Sequence, residues 1–300
     1  MSPSPIFANA PFTFEEMSER RGAEERETLT RYKAPRDVEV TAVAVGHVPI
    51  RIYRPIQQGD DLPLLLWMHG GAFIGGGLDM PEAQVTAFEM AHRAKSVVVS
   101  IDYRLCTDDI RFPLPQQDCL EVAEWVISNA AQLGFDPTRL FIGGGSAGAC
   151  LAGSLALLMR DRGVQVAGVI PVYAVGHREE LSPTQELQNY VDEYFGKPQG
   201  LLLGHNEWLD PNPTESEAFH AWPGEAGDLA GLAKHYFIHA DFDILRSSGE
   251  PWAARLRDSG IEVHEEVAKG SKHGFLNDLP SDNLIQDEVL DRVSFIISGK

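Results

Sequence analysis

The sequence predicts an α/β fold built on a mostly parallel, doubly wound sheet of about eight strands. Short apolar runs are typical of strands buried on both faces, and helical patterns separate these runs along the chain. Strands that alternate with helices form parallel pairs, because each helical crossover returns the chain to the same end of the sheet. With 300 residues, 43% of them hydrophobic, the chain can bury one large core.

The first elements precede the alternating pattern. A polar, charged stretch predicts a helix over residues 14–31. Residues 38–43 and 50–54 alternate apolar and polar side chains, which predicts an antiparallel pair at one edge of the sheet.

The remaining elements alternate. Apolar runs predict strands at residues 64–68, 97–101, 140–143, 166–173, 235–239 and 261–267. Helical patterns predict helices at residues 80–95, 115–133, 147–161, 249–258 and 283–297.

Residues 177–230 interrupt the alternation and are too long for an ordinary connection. We interpret them, with the N-terminal helix, as a helical cap over a functional site. The core then comprises residues 36–176 and 231–300, and the cap comprises residues 1–35 and 177–230. A surface excursion with its own small core is the alternative. The aromatic side chains of the insertion fit either interpretation: Tyr190, Tyr194, Phe195, Trp208, Phe219 and Trp222.

The composition excludes several classes of protein. With 44 acidic and 25 basic residues the net charge is -19, which repels nucleic acid and anionic membranes. Cys106, Cys119 and Cys150 form neither a disulfide framework nor a C-x-x-C zinc motif. The N-terminus does not resemble a secretory signal, and no apolar run is long enough to span a membrane. We therefore expect a cytoplasmic protein.

The most informative motif is a G-x-S-x-G pentapeptide at residues 144–148, between the predicted strand at 140–143 and the predicted helix at 147–161. A strand, a sharp turn and a helix are the context in which a serine becomes an exposed nucleophile. The flanking glycines let strand and helix pass closely, and the helix N-terminus can stabilise a developing oxyanion. On its own the motif is weak, because a glycine-rich loop can hold an incidental serine.

A second glycine-rich turn follows the strand at 64–68. It reads His69-Gly70-Gly71-Ala72-Phe73, where glycines let backbone N–H groups approach a substrate oxygen. Neither phosphate-binding glycine pattern occurs there, so a phosphate cradle is disfavoured. His69 precedes the serine in the chain, and we interpret it as a structural histidine that shapes the turn.

An acid and a histidine follow two late strands. Asp241 and Asp243 come after the strand at 235–239, and His273 follows the strand at 261–267. Ligand sites of open α/β sheets lie at these carboxyl ends. Alone, an aspartate there more often caps a helix and a histidine more often lies in an ordinary loop. The order of Ser146, an aspartate and His273 favours a catalytic triad, with either aspartate as the acid.

Taken together, these motifs resemble the hormone-sensitive lipase family of α/β-hydrolases, the HGGG-type esterases. The similarity runs from about residue 40 to the C-terminus. The matching segments are residues 69–73, 102–105, 112–113, 118–119, 143–148, 243–246 and 273–275.

The resemblance implies a serine carboxylesterase with the α/β-hydrolase fold and a cap. By position, Ser146 is the nucleophile, His273 the general base and Asp243 the orienting acid, with Asp241 as the fallback acid. The resemblance also implies that the backbone N–H groups of three residues form the oxyanion hole: Gly70, Gly71 and Ala147. Neither a metal nor an organic cofactor is expected.

The chain departs from the family at three places. Gly145 stands before the nucleophile where the family has Asp, which removes a carboxylate that would be buried beside Ser146. Ala72 replaces the third glycine of the HGGG turn, and residues 106–108 read Cys-Thr-Asp instead of Ala-Pro-Glu.

The predicted function is hydrolysis of small-molecule carboxylic esters with small to medium acyl chains. Phe73, Ile74 and Leu78 are candidates for the acyl pocket. The same triad would also serve a lactonase, amidase, acyltransferase or cyclase that tailors one metabolite. A non-catalytic ligand receptor on this scaffold is disfavoured, because this chain retains His273. The C-terminal helix is a candidate homodimer surface.

Overall fold

The computed structural model describes residues 14–56, 59, 61–178, 181–196 and 220–299. The described strands are β1 (Val38–Val45), β2 (Val48–Pro55), β3 (Leu62–Met68), β4 (Val97–Ile101), β5 (Phe135–Gly145), β6 (Gly168–Val172), β7 (His235–Phe242) and β8 (Val263–Lys272). The described helices are α1 (Phe14–Arg31), α2 (Pro81–Arg93), α3 (Leu114–Ser128), α4 (Ala130–Leu133), α5 (Ala147–Asp161), α6 (Gln185–Phe195), α7 (Arg246–Asp258) and α8 (Leu284–Ser298), with a 3₁₀ turn at Phe275–Asn277.

The eight strands form one sheet in the order β1-β2-β4-β3-β5-β6-β7-β8. The first two strands form an antiparallel pair at the edge, and β2 is also antiparallel to β4. All the other pairs are parallel. The predicted fold class, strand number and antiparallel edge are therefore confirmed.

Strand β3 shows how helices cover both faces of this sheet. All seven of its residues are buried. Leu64, Leu66 and Met68 pack in the cluster that includes α3 and α5, whereas Leu65 and Trp67 pack with α2 and α8. Because successive side chains of a strand point to opposite faces, a strand covered on both sides reads as a continuous apolar run.

Several strands extend further than the sequence predicts, and the extensions of two of them matter for the site. Strand β5 continues to Gly145, so it leads directly into Ser146. Strand β8 continues to Lys272, because pairing with β7 resumes at Phe242 after a register shift. This extension ends immediately before His273.

The single helix predicted over residues 115–133 is two helices. Asn129 separates α3 from α4, with backbone angles of φ -111° and ψ 19° that do not continue a helix. Its side-chain amide donates to the Trp125 carbonyl oxygen at 2.7 Å. Asparagine competes in this way for backbone hydrogen bonds, which weakens helix continuity.

The described parts of the predicted cap are α1, α6 and residues 220–230, together with short connections. Tyr194 of α6 stacks on Phe242, with ring centroids 3.6 Å apart. Trp222 is fully buried in the main core, so it does not belong to a separate cap core. Trp208 and Phe219 lie outside the described residues. The division into core and cap stays a prediction.

The cysteines and helices bear on two sequence expectations. Cys106, Cys119 and Cys150 are buried thiols, as the absence of a disulfide pattern predicts. No helix in the described ranges is both long and apolar enough to cross a membrane.

His235, at the start of β7, makes the stability of the fold depend on pH. It is 1% exposed, and burial lowers its pKa to about 4 from 6.5. Between these values the unfolded chain binds more protons than the folded one, so stability falls as the pH drops from 6.5 towards 4. We expect His235 to account for a loss of about 2 kcal/mol in the free energy of unfolding between about pH 7.5 and about pH 5, measured by urea denaturation.

The matched control is His264, which lies on the neighbouring strand with a side chain that is 58% exposed. His235→Asn is expected to flatten the pH dependence of unfolding, whereas His264→Asn is expected to leave it unchanged. Equal pH dependence in wild type and His235→Asn would contradict the prediction.

Candidate active site

Ser146 lies at a sharp turn between β5 and α5. Its backbone has φ 54° and ψ -117°, a conformation that L-residues rarely adopt. Gly144 and Gly148 make the turn possible. A Cβ on Gly148 would collide with the carbonyl oxygens of Met68 and His69, so helix α5 packs against the end of β3 only because that side chain is absent.

A hydrogen-bonded chain links Ser146, His273 and Asp243. The Ser146 Oγ lies 3.0 Å from His273 Nε2, and the His273 Nδ1 lies 2.7 Å from Asp243 Oδ2. The other oxygen of the Asp243 carboxylate accepts from the Leu245 N–H at 3.0 Å, which fixes its orientation. The Asp243 side chain is 2% exposed, and that of His273 is 23% exposed. A nucleophile, a base and an orienting acid need this geometry.

Asp241, the fallback acid, has different partners. Its carboxylate accepts from the Gly270 N–H at 2.8 Å, and from Lys269 Nζ and the Tyr190 hydroxyl at 3.2 Å each. These contacts tie the end of β7 to the end of β8 and to α6. The geometry therefore favours Asp243 over Asp241 as the partner of His273.

The turn at residues 69–73 lies beside Ser146 and is strained. Gly71, Ala72 and Phe73 all have positive φ, at 118°, 55° and 66°. Gly71 and Ala72 line the same cavity as Ser146, and hydrogen bonds from their N–H groups do not occur within the described part of the chain. Ala147, which also lines the cavity, opens helix α5, where N–H groups have no intrahelical partner.

The oxyanion assignment of Gly70 requires a correction. Its N–H donates to Glu82 Oε1 at 2.5 Å, so it is already engaged within the protein. The third donor available beside Gly71 and Ala147 is the N–H of Ala72. The sequence could not show this, because the acceptor comes from helix α2.

His69 is structural, as the sequence indicates. It is fully buried and stacks on Tyr103 with ring centroids 4.4 Å apart, and the Tyr103 hydroxyl donates to the His69 carbonyl oxygen at 2.7 Å. The next residue, Arg104, donates to Asp118 at 2.6–3.1 Å. The Cys106 N–H donates to the Phe73 carbonyl oxygen at 2.8 Å. The segment after β4 therefore supports the strained turn.

A cavity of about 430 Å³ opens above Ser146. Of the three predicted acyl-pocket residues, only Phe73 lines it. Ile74 packs against the main core and Leu78 is buried, and neither of them lines this cavity. The apolar lining instead includes Val175 and Leu245, which sequence reasoning missed because they follow β6 and β7 in loops without a motif.

Helix α1 also contributes to this cavity. Glu24, Glu25 and Thr28 line it together with residues of the sheet loops. The prediction that the N-terminal helix lies over the site is supported by this lining.

Glu82 is a further residue that sequence reasoning missed. A Cβ on Gly145 would lie 2.7 Å from the Glu82 carboxylate carbon, so a buried carboxylate does lie beside the nucleophile. In the sequence Glu82 reads as an ordinary acid in the first turn of a helix, where it would favour the helix dipole. Its position next to Gly145 depends on how α2 packs against the sheet.

The fold and the site define this protein as an α/β-hydrolase. A family model described as alpha/beta hydrolase fold matches residues 65–277. An arylesterase of Saccharolobus solfataricus is 30% identical over 235 residues, covering 76% of this chain and 73% of the relative. Carboxylesterase NlhH of Mycobacterium tuberculosis is 30% identical over 232 residues, covering 77% and 72%.

The solved structures agree. An esterase of Pyrobaculum calidifontis superimposes with a TM-score of 0.83 and 26% identity, covering 99% of this chain and 98% of that one. The chain belongs to the hormone-sensitive-lipase-like family of carboxylesterases and is a serine ester hydrolase. The family resemblance, the fold and the enzyme class predicted from the sequence are confirmed.

Proposed function

We propose that this protein hydrolyses small-molecule carboxylic esters through a covalent acyl-enzyme on Ser146. The observation that carries the proposal is the hydrogen-bonded chain from Ser146 through His273 to Asp243. Ser146 also lines a cavity of about 430 Å³, near the lower end of the usual range for ligand pockets of about 300–1,000 Å³.

In the first half of the reaction, the Ser146 Oγ attacks the ester carbonyl carbon while His273 Nε2 takes its proton. The tetrahedral intermediate collapses, and His273 returns the proton to the departing alcohol oxygen. In the second half, His273 deprotonates a water molecule that attacks the acyl-enzyme, and the carboxylic acid leaves. Asp243 accepts from His273 Nδ1–H throughout, which holds the imidazole in the required tautomer.

The oxyanion of both tetrahedral intermediates is assigned to the N–H groups of Gly71, Ala72 and Ala147. Their support is the shared cavity lining with Ser146 and the commitment of the Gly70 N–H to Glu82. Each such donor is worth about 10²- to 10³-fold in rate, because it is oriented before the charge develops.

The apolar lining by Phe73, Val175 and Leu245 predicts a preference for short acyl chains. We expect kcat/KM for p-nitrophenyl butyrate to exceed that for p-nitrophenyl palmitate by more than about tenfold, since a pocket of limited volume accommodates a short acyl chain better than a long one. The measurement is a hydrolysis profile across p-nitrophenyl esters of increasing acyl length. Absence of hydrolysis with every ester would contradict the proposed function.

A matched pair of variants tests the pocket itself. Val175→Ala should shift the preferred acyl length upward, because Val175 lines the cavity. Val169→Ala removes the same atoms from a fully buried position in β6 that does not line it, and should leave the profile unchanged. Equal profiles for the two variants would remove Val175 from the acyl pocket.

Two structural features, a cap and a homodimer, belong to the same proposal. The cap is supported by Glu24, Glu25 and Thr28 of α1 at the cavity. A homodimer is supported by the exposed Leu284 and Phe295 of α8, at 76% and 62% exposure. The cytoplasmic location and the independence from metals and cofactors stay predictions from the sequence.

A further inference from the structure

Glu82 is a buried carboxylate beside Ser146 with no part in the bond-making steps. It lies in the first turn of α2 and is only 2% exposed. Oε1 accepts from the Gly70 N–H at 2.5 Å, and Oε2 accepts from the Tyr173 hydroxyl at 2.6 Å. Both of these partners are donors, so each carboxylate oxygen of Glu82 accepts a hydrogen bond.

The first of these bonds anchors the turn at residues 69–73, the oxyanion turn. Gly70 immediately precedes Gly71 and Ala72, whose N–H groups are assigned to the oxyanion. Residues 71–73 all have positive φ, and a strained turn of this kind persists only where its surroundings hold it. The Glu82 carboxylate holds the turn at Gly70, immediately before the strained residues.

The second bond reaches the catalytic histidine. Tyr173 follows β6, and its ring packs edge-on against the His273 imidazole with centroids 5.0 Å apart. The same ring packs edge-on against Phe275, at 5.2 Å. The Glu82 N–H also faces Asn277 Oδ1, at 3.4 Å, in the segment after His273. Glu82 is therefore connected through Tyr173 to the His273 ring, and through Asn277 to the segment that follows His273.

The third neighbour of the carboxylate is Gly145. A Cβ built on Gly145 would lie 2.7–2.8 Å from the carboxylate carbon and both oxygens of Glu82, which is closer than real Cβ atoms approach. A side chain at position 145 and the Glu82 carboxylate therefore compete for one space. The missing side chain before the nucleophile leaves room for a carboxylate that arrives from helix α2.

We propose that Glu82 is the positioning residue of this active site. Its carboxylate holds the oxyanion turn through Gly70 and the His273 side of the site through Tyr173, in the space that Gly145 leaves open. The proposal rests on the proposed function, because it concerns the geometry in which Ser146 reacts.

Glu82→Gln tests this role at constant size. The amide nitrogen cannot accept a hydrogen bond, so either the Gly70 N–H or the Tyr173 hydroxyl loses its bond to residue 82. We expect kcat for p-nitrophenyl butyrate to fall about 10- to 100-fold, because small displacements of catalytic groups have effects of this size. KM should change little, because the turn acts on the oxyanion more than on the bound ester.

The matched control is Glu89→Gln. Glu89 lies on the same helix, is 8% exposed, and accepts from the Tyr32 hydroxyl at 2.7 Å and from Arg93 Nε at 2.8 Å. It lies away from Ser146, so this variant should lose thermal stability while kcat stays at the wild-type value. Equal kcat in the Glu82→Gln and wild-type enzymes would overturn the proposal.

Position 145 supplies an independent test. Gly145→Ala keeps every hydrogen-bonding group, yet its methyl group must displace the carboxylate, so kcat should fall. The same substitution in a Glu82→Ala background should have no further effect. The double variant Glu82→Ala/Gly145→Asp has a carboxylate in the same space, now carried by residue 145. Its kcat should exceed that of Glu82→Ala by at least about tenfold.

The outcomes separate this proposal from the proposed function. A wild-type protein that hydrolyses no ester would refute the proposed function itself. An active wild-type enzyme whose kcat is unchanged by Gly145→Ala would refute only the role of Glu82, even if neither Glu82 variant folds. If kcat of the double variant did not exceed that of Glu82→Ala, this would contradict the proposal that residues 82 and 145 share one space.

Discussion

Replacing Ser146 by alanine is expected to lower kcat for p-nitrophenyl acetate by about 10⁶-fold, the loss found when the nucleophile of a triad is removed. The substitution deletes only the Oγ that lies 3.0 Å from His273 Nε2. Without it, no acyl-enzyme can form, and only binding and the oxyanion donors still assist attack by water. The measurement is steady-state hydrolysis, together with mass spectrometry after treatment with a fluorophosphonate probe.

The fold of this variant should be intact, because alanine adds no atom at the strained turn. The matched control is Ser154→Ala on the same helix α5. Ser154 is fully buried and bonds to Gln116 and to the His220 carbonyl oxygen, away from the cavity. That variant should keep both kcat and the fluorophosphonate adduct on Ser146. Wild-type hydrolysis by Ser146→Ala would refute the assignment of the nucleophile.

Replacing Asp243 by asparagine is expected to lower kcat by about 10⁴-fold with little change in structure. The asparagine can keep the hydrogen bond that Oδ1 accepts from the Leu245 N–H. Its amide group, however, would face His273 Nδ1 with N–H donors, which favours the wrong imidazole tautomer. The measurement is kcat with p-nitrophenyl butyrate, alongside the thermal midpoint of each protein.

Asp241→Asn is the matched control, because Asp241 is the other aspartate that the sequence allows as the acid. Its carboxylate bonds to Lys269, Gly270 and Tyr190, and asparagine retains an acceptor for the Gly270 N–H. We expect kcat to fall by less than about tenfold, which corresponds to a small change in activation free energy. If Asp241→Asn were the more damaging variant, the acid would be Asp241.

Much of the fold could be predicted from the sequence, because a strand that is buried on both faces reads as a continuous apolar run. The buried strand at 97–101 and the helix at 147–161 have the predicted bounds. The predicted bounds are wrong where a side chain interrupts a helix, and where strand pairing continues beyond the apolar run. Asn129 divides one helix, and resumed pairing with β7 carries β8 on to Lys272.

The candidate site was predictable to the extent that short motifs describe it. Ser146, the aspartates at 241 and 243, and His273 each lie at the end of a recognisable strand, so their order indicates a serine, an acid and a histidine at one edge of the sheet. The cavity lining was not predictable, since Ile74 and Leu78 lie near the turn in sequence but do not line the cavity. Val175 and Leu245 reach it from loops at the carboxyl ends of two other strands.

By itself the sequence determined the sheet, the elbow at Ser146 and the order of the reacting groups, because strand burial and the turn conformation depend on neighbouring residues in the chain. Only the tertiary structure decided which aspartate faces His273, and that the Gly70 N–H is taken by Glu82. It also decided that a carboxylate lies beside the nucleophile despite Gly145. These contacts join residues of different elements, and they depend on the packing of α2 against the sheet and on the pairing of β7 with β8.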